Sequence, residues 1–212
     1  MPICFASASI VGRSLCFCVA KQAKTLTKPQ IDAVLGYLAK TRHPIRNRVI
    51  FLLSVKAGLR AKEIASLTWA MVTDAEGALT DAISLTDIAS KGRGGRVIPI
   101  NKELRAALAA LKADAAKAGR QSPFVVMTER ASRTSSFAIV NKFGAWYQGL
   151  GFSGASSHSG RRTAITQWAR KISTVGGSLR DVQMLAGHSA LSTTQRYIES
   201  DGLAQRRVVE LV

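Results

Sequence analysis

Four short stretches of the chain gather cationic and nucleophilic side chains. AGLRAKE, residues 57–63, places Arg60 just after Gly58 and three residues before Glu63. Residues three apart share a helix face, so taken alone this pair is an ordinary helix-start ion pair. SKGRGGR, residues 90–96, sets Lys91 in a glycine-rich turn. A turn lysine is ordinarily solvated, but it is also free to swing onto a bound phosphate, with Arg93 and Arg96 reinforcing it. SSHSGRRT, residues 156–163, puts His158 and Arg161 on one helix face and points Arg162 elsewhere. Its small residues let a phosphate approach backbone N–H groups at the helix start. AGHSALSTTQRY, residues 186–197, has His188 behind a helix-ending glycine and Tyr197 nine residues further on. Alone, His188 is a structural histidine and Tyr197 a half-buried core aromatic.

Together these stretches supply Arg60, Arg161, Lys91, His158, His188 and Tyr197, with no carboxylate metal ligand among them. Such a set suits phosphoryl transfer without a metal, because the cations stand where Mg²⁺ would otherwise neutralise charge developing on phosphorus. Other chemistries fit worse. The chain has no G-x-S-x-G, no phosphate-binding G-x-x-x-x-G-K-[ST] and no H-E-x-x-H. Its acidic residues do not cluster as Mg²⁺ ligands do. Cys4, Cys16 and Cys18 are an odd set confined to the first eighteen residues, so neither a zinc site nor a disulfide framework is indicated.

The elements that must position these residues are mostly helices. Thr27 and Gln30 form a capping box with Pro29 in the first turn, followed by Ile31, Val34, Leu35 and Leu38 at helical spacing. A second, apolar helix covers about 45–56 and ends at Gly58, and a short third covers about 61–67. Residues 82–88 and 95–100 alternate as two strands of a hairpin. Asn101 caps a long helix with Leu104, Leu108 and Leu111 on one face, closed by Gly119. Residues 123–127 read as a short extended piece. Ser135 or Ser136 opens a helix with Ile139, Val140, Phe143 and Trp146 or Tyr147 inside. Further helices start near His158, at Ser178 with Asp181, and at Ser192 with Gln195, the last carrying Tyr197 about a turn and a half in. The expected fold class is α+β: a mainly helical catalytic domain with one small antiparallel β-sheet.

The length of 212 residues fits one domain, and 47% apolar residues suffice for a core. Thirty Lys and Arg against thirteen Asp and Glu leave a net charge of +17. Solubility needs a charge magnitude of only about 2–8, so the excess points to a polyanion, with nucleic acid first. No segment reaches the roughly 18 apolar residues of a membrane span. The first twenty residues lack the basic start of a secretory signal, and Arg13 interrupts their apolar run. Residues 1–24 therefore read as a poorly ordered arm or a remnant of a larger upstream region, and 25–212 as the catalytic domain, with a tail from about 198. A reducing cytoplasm is the expected compartment.

In order and spacing, Gly58-Leu59-Arg60 with Glu63, Lys91, His158 with Arg161, Gly187-His188 and Tyr197 make the chain resemble the catalytic domain of tyrosine recombinases, the phage integrase family. The resemblance covers about residues 25–205. It implies a site-specific recombinase or integrase acting on double-stranded DNA as a homo-oligomer, a synaptic tetramer, with no cofactor, metal, membrane or small-molecule substrate. It implies that Tyr197 attacks a DNA phosphate to give a 3′-phosphotyrosyl link and a free 5′-hydroxyl. Arg60 and Arg161 clamp the non-bridging oxygens. Lys91 protonates the leaving 5′-oxygen, His158 accepts the tyrosine proton or bonds the phosphate, and His188 donates to that phosphate. Glu63 orients Arg60 or His158. Gly160 departs from the pattern, which often has Leu there, and is expected to loosen local packing.

The roughly hundred-residue N-terminal DNA-binding domain of most members has no counterpart in residues 1–24, which leaves a minimal recombinase or a truncated product as expectations. The apolar residues of the tail, Leu203, Val208, Val209 and Leu211, are expected to pack on the same or a neighbouring protomer. A type IB topoisomerase and a catalytically dead DNA-binding protein are the competing readings.

Overall fold

The computed structural model describes residues 23–86, 95–129, 131–198 and 209–210. Helices α1 (Lys28–Ala39), α2 (Pro44–Val55) and α3 (Ala61–Ser66) come first, followed by strands β1 (Ala82–Leu85) and β2 (Arg96–Pro99). Then come α4 (Lys102–Lys117), α5 (Ser136–Gly149), α6 (Ser159–Lys171), α7 (Leu179–Ala186) and α8 (Leu191–Gln195). Short 3₁₀ turns cover Trp69–Met71 and Ile172–Val175. The fold is the expected α+β arrangement, and no described helix is long and apolar enough to cross a membrane.

Helix α2 is the axis of the domain. Every residue from Val49 to Val55 is buried, so it is enclosed on all sides rather than amphipathic. It packs on α1, α3, α4 and α6. Phe51 joins an aromatic group with Phe143, Trp146 and Tyr147 of α5. Each fully buried Leu, Ile or Phe of this core stabilises the fold by about 1.5–3 kcal/mol, and Phe51→Ala would cost about 3–5 kcal/mol. Val140, expected inside, is instead exposed. It lies one residue past the stripe set by Ile139, Phe143 and Trp146.

The helix starts follow the local chemistry. Thr27 and Gln30 exchange their capping-box hydrogen bonds, and Asn101 Oδ1 accepts from the Leu104 N–H. Beyond α2 the chain turns at Gly58, whose φ of +62° lies in the left-handed region, and the Leu59 N–H returns to the Leu53 carbonyl (3.0 Å). That turn delivers Arg60 to the start of α3. The strands pair antiparallel with Ile83 opposite Ile98 and Leu85 opposite Arg96. The expected extended piece after Pro123 bridges the backbone at Thr68, and the Val125 N–H bonds the Leu67 carbonyl.

Helices α6 and α7 hold a second, smaller core. Ile165, Val182 and Ala186 are buried there, with Trp168 and Tyr197 packed against them. Gly160 joins the two cores. It is buried against α2, where a Cβ would collide with the Ser54 hydroxyl and lie 3.0 Å from its Cβ. The expected looseness at Gly160 is therefore not found. The missing side chain allows close contact of α6 with α2, where Leu would not fit. The arm over residues 1–22 and the tail at 199–208 and 211–212 lie outside the described residues.

Candidate phosphate site

Glu63 is the hub of the site. Its side chain is 1% exposed and grips two arginines. Oε1 accepts from Arg60 Nη1 (2.8 Å) and Arg96 Nη1 (3.0 Å). Oε2 accepts from the Arg60 backbone N–H (2.8 Å) and Arg96 Nη2 (2.9 Å). Burial pushes its carboxyl up, but the hydrogen bonds and charges of Arg96 and Arg60 outweigh this and hold it below the ordinary carboxylate range. Of the two partners expected for Glu63, Arg60 is the one it holds.

Arg161 reaches in from α6. It is 5% exposed. Nη1 donates to the Gly58 carbonyl (2.5 Å) and Nη2 to the Ala186 carbonyl (2.7 Å), so one guanidinium spans from the turn before Arg60 to the end of α7. Burial, and then repulsion from Arg60, lower it to about 10, which leaves it cationic at neutral pH. Arg60 and Arg96 thus share the Glu63 carboxylate, and the Arg161 guanidinium stands near enough to feel its charge. Three positive charges against one leave an excess of two in a largely dry place, which an anion such as a phosphodiester would balance.

His188 follows Gly187, which closes α7 in the left-handed conformation (φ +62°). Its Nε2 lies 3.3 Å from Arg161 Nη2, and its Nδ1 lies 2.9 Å from the hydroxyl of buried Thr194. Arginine only donates, so Nε2 accepts and Nδ1 carries the proton donated to Thr194. Burial, then Arg161, Arg60 and Arg96, depress the imidazole to about 4. The ring is neutral at pH 7, and its Nε2 is an acceptor rather than the expected donor in this arrangement. Tyr197 stacks on it, with ring centroids 5.5 Å apart and planes at 22°. The Arg162 guanidinium also lies over the tyrosine ring, 5.7 Å from its centroid.

Arg60, Arg161, His188 and Tyr197 are therefore brought together. His158 is the residue preceding α6 and is solvent-exposed, and its ring makes no hydrogen bond to a described residue. Lys91 and Arg93 lie outside the described residues, in the segment between β1 and β2.

Four expectations change. Ser192 and Gln195 do not form a cap: α8 starts at Leu191 with Ala190 as its N-cap and no side-chain cap. The Thr194 hydroxyl instead ties the helix from inside to the preceding His188. Tyr197 does not sit inside that helix but just past it, on a turn in which its N–H bonds the Thr194 carbonyl (3.0 Å). Arg162 does not point away from the site: positions 158, 161 and 162 are i, i+3 and i+4, which share one side. Arg96, expected to reinforce a loop lysine, turns inward onto Glu63 and the Leu185 carbonyl. Strand alternation carried that signal, since Ile98 is buried and residue 96 shares its face.

A family model described as the phage integrase family matches residues 24–202. The chain belongs to the phage integrase family. A tyrosine recombinase XerD from Xanthomonas axonopodis pv. citri (strain 306) is 32% identical over 187 residues, covering 82% of this chain and 57% of that protein. The chain thus spans about half the length of the curated relatives it matches. Two solved structures share the fold. XerA recombinase has a TM-score of 0.69 at 20% identity, over 88% of this chain and 64% of that one. XerH site-specific recombinase bound to difH substrate, in a pre-cleavage complex, has a TM-score of 0.68 at 16% identity, over 88% and 53%.

Proposed function

We propose that the chain is the catalytic part of a site-specific DNA recombinase that cleaves and rejoins double-stranded DNA through a 3′-phosphotyrosyl intermediate. The observation that carries this reading is the convergence of Arg60, Arg161 and His188 beside the Tyr197 ring, with an unbalanced positive charge around Glu63. Membership of the phage integrase family and the net charge of +17 support it.

In this scheme Arg60 and Arg161 take the two non-bridging oxygens of the scissile phosphate, and their planar forks suit that geometry. The Tyr197 hydroxyl attacks phosphorus, the P–O5′ bond breaks, and the 5′-oxygen leaves as a hydroxyl. Lys91 supplies its proton, and His158 receives the tyrosine proton. A bound phosphate adds negative charge beside His188, raises its affinity for a second proton and lets Nε2 donate. The phosphodiester energy stays in the covalent link, so a second 5′-hydroxyl reverses the step on a new strand without ATP. The scheme needs no metal, because the guanidinium groups carry the charge. The protein acts in the cytoplasm as a homo-oligomer, a tetramer at synapsis.

The test is covalent capture on a library of double-stranded oligonucleotides of random sequence, followed by denaturing electrophoresis. An adduct in the wild type that is lost in Tyr197→Phe supports the reading. Binding without any adduct leaves a DNA-binding protein, and relaxation of plasmids regardless of sequence makes it a topoisomerase. Lys91→Ala should slow cleavage of ordinary DNA strongly and be partly rescued by a 5′-bridging phosphorothiolate, whose leaving group needs no acid. Equal losses on both substrates would remove Lys91 from that role.

A further inference from the structure

We infer that Arg96 is a positioning residue that locks Glu63, and through it Arg60, to the turn that presents His188, without itself touching phosphate. The inference rests on the recombinase reading for its consequence in catalysis, and on geometry for its basis.

All three guanidinium nitrogens of Arg96 bond protein, which uses three of its five N–H donors and points the fork at Glu63. Nη1 and Nη2 fork onto the two oxygens of Glu63, at 3.0 and 2.9 Å, and Nε donates to the Leu185 carbonyl at 3.0 Å. The side chain is 7% exposed. A helix leaves its last carbonyls without intrahelical partners. At the end of α7 two of these are answered by arginine: Leu185 by Arg96 and Ala186 by Arg161. Cations there also meet the negative end of the helix dipole.

The turn itself is shaped for this contact. A Cβ on Gly187 would lie 2.9 Å from Arg96 Nη1 and 3.0 Å from its Cδ. The guanidinium therefore rests on the bare backbone of the residue before His188. One side chain on β2 thus joins Glu63 of α3, which holds Arg60 at the start of that helix, to the end of α7, just before His188. Lysine cannot replace it, since one ammonium cannot fork onto a carboxylate and also reach a carbonyl on another helix.

The test compares wild type, Arg96→Ala, Arg96→Lys and Arg60→Ala on random-sequence duplex DNA. A side chain that binds phosphate contributes about one to the slope of log affinity against log salt. The slope is expected to fall by about one in Arg60→Ala and to stay at the wild-type value in both Arg96 variants. Adduct formation on captured duplexes is expected to slow by about tenfold or more in both Arg96 variants. Adding Glu63→Gln to Arg96→Ala should cost less than the sum of the two single changes, since both act through one ion pair. A slope lowered in Arg96→Ala makes the residue a phosphate ligand and overturns the inference. So does an adduct rate within about twofold of wild type in a folded Arg96→Lys, or strict additivity with Glu63→Gln.

A wild type that captures no duplex at all would refute the recombinase reading alone. The coupling is then read without DNA, by NMR titration of His188, which faces Arg161, Arg60, Arg96, Tyr197 and Thr194. Its midpoint rises in Arg96→Lys if the clamp exists, and an unmoved midpoint overturns it.

Discussion

The imidazole of His188 lies nearly parallel to the phenol ring of Tyr197, 22° between planes and 5.5 Å between centroids. Nothing in the nine-residue separation requires this. It arises because Thr194, between them, bonds His188 Nδ1 and gives its carbonyl to the Tyr197 N–H. The group read as a phosphate ligand and the group read as the nucleophile are thus held by one threonine.

Tyr197→Phe tests the nucleophile with little structural cost. Phenylalanine keeps the ring, its stacking on His188 and its contact with Arg162. The variant should unfold within about 0.5 kcal/mol of wild type in denaturant. It should bind duplex DNA with unchanged salt dependence and form no covalent adduct. A covalent adduct that persists in this variant would assign the chemistry to another residue.

His188 makes a prediction about acid. It titrates near 4 in the fold and near its ordinary value, about 6.5, when unfolded. Between these values the unfolded chain binds the extra proton, so stability rises with pH across that window. The contribution is complete above about pH 6.5 and is lost progressively as pH falls towards 4. Glu63, held below the ordinary carboxylate range, loses its own contribution in the same direction at lower pH. In His188→Gln, chemical denaturation followed between pH 4 and 6.5 should show a shallower fall than wild type. An equally steep fall would mean that carboxylates alone set the acid response.

Thr194→Val removes the acceptor for His188 Nδ1 and keeps the buried shape. Leaving a partly buried N–H without its partner costs about 1–3 kcal/mol, read as a lower denaturation midpoint. If the threonine also fixes the working tautomer, adduct formation should slow by about tenfold, the equivalent of about 1.4 kcal/mol, with DNA affinity little changed. Thr194→Ser keeps a hydroxyl and should recover most of the rate. A rate unaffected in the valine variant would leave the threonine with a structural role only.

Much of this fold was legible before any coordinates. Thr27, Asn101, Ser135 and Ser178 each open the helix their side chains announce, because a cap is a local interaction complete within four residues. The hairpin strands were readable from alternation, and the grouping of Arg60, Arg161, His188 and Tyr197 from their order along the chain. What escaped is non-local. The helix near Tyr197 starts at Leu191, and its Thr194 is tied to His188, a pairing that a cap rule applied to Ser192 cannot foresee. Arg96 looked like a loop cation because its neighbours are glycines, yet its strand face and a carboxylate 33 residues away decide its role. Arg162, expected to point away from His158 and Arg161, meets the Tyr197 ring that the turn after α8 presents.

Gly160 gives the most direct test of packing between the two cores. The family often has a larger residue here, yet in this chain the position faces the Ser54 side chain of α2 with no room for a Cβ. Gly160→Ala would force α6 from α2, and with it Arg161, whose bond to the Gly58 carbonyl fixes the site. Overpacking of this kind costs about 1–3 kcal/mol, partly offset by alanine's better helix propensity, about 1 kcal/mol over glycine. Ser54→Gly should relieve the collision, and it also removes a buried hydroxyl that has no hydrogen-bond partner among the described residues. The double variant should therefore recover stability relative to Gly160→Ala despite glycine's own cost in α2, giving a coupling of about 0.5–3 kcal/mol in a double-mutant cycle measured by denaturation. A cycle that closes with no coupling would show that α6 and α2 yield at some other contact, and that the absence of a side chain at Gly160 is not what lets Arg161 reach the turn before Arg60.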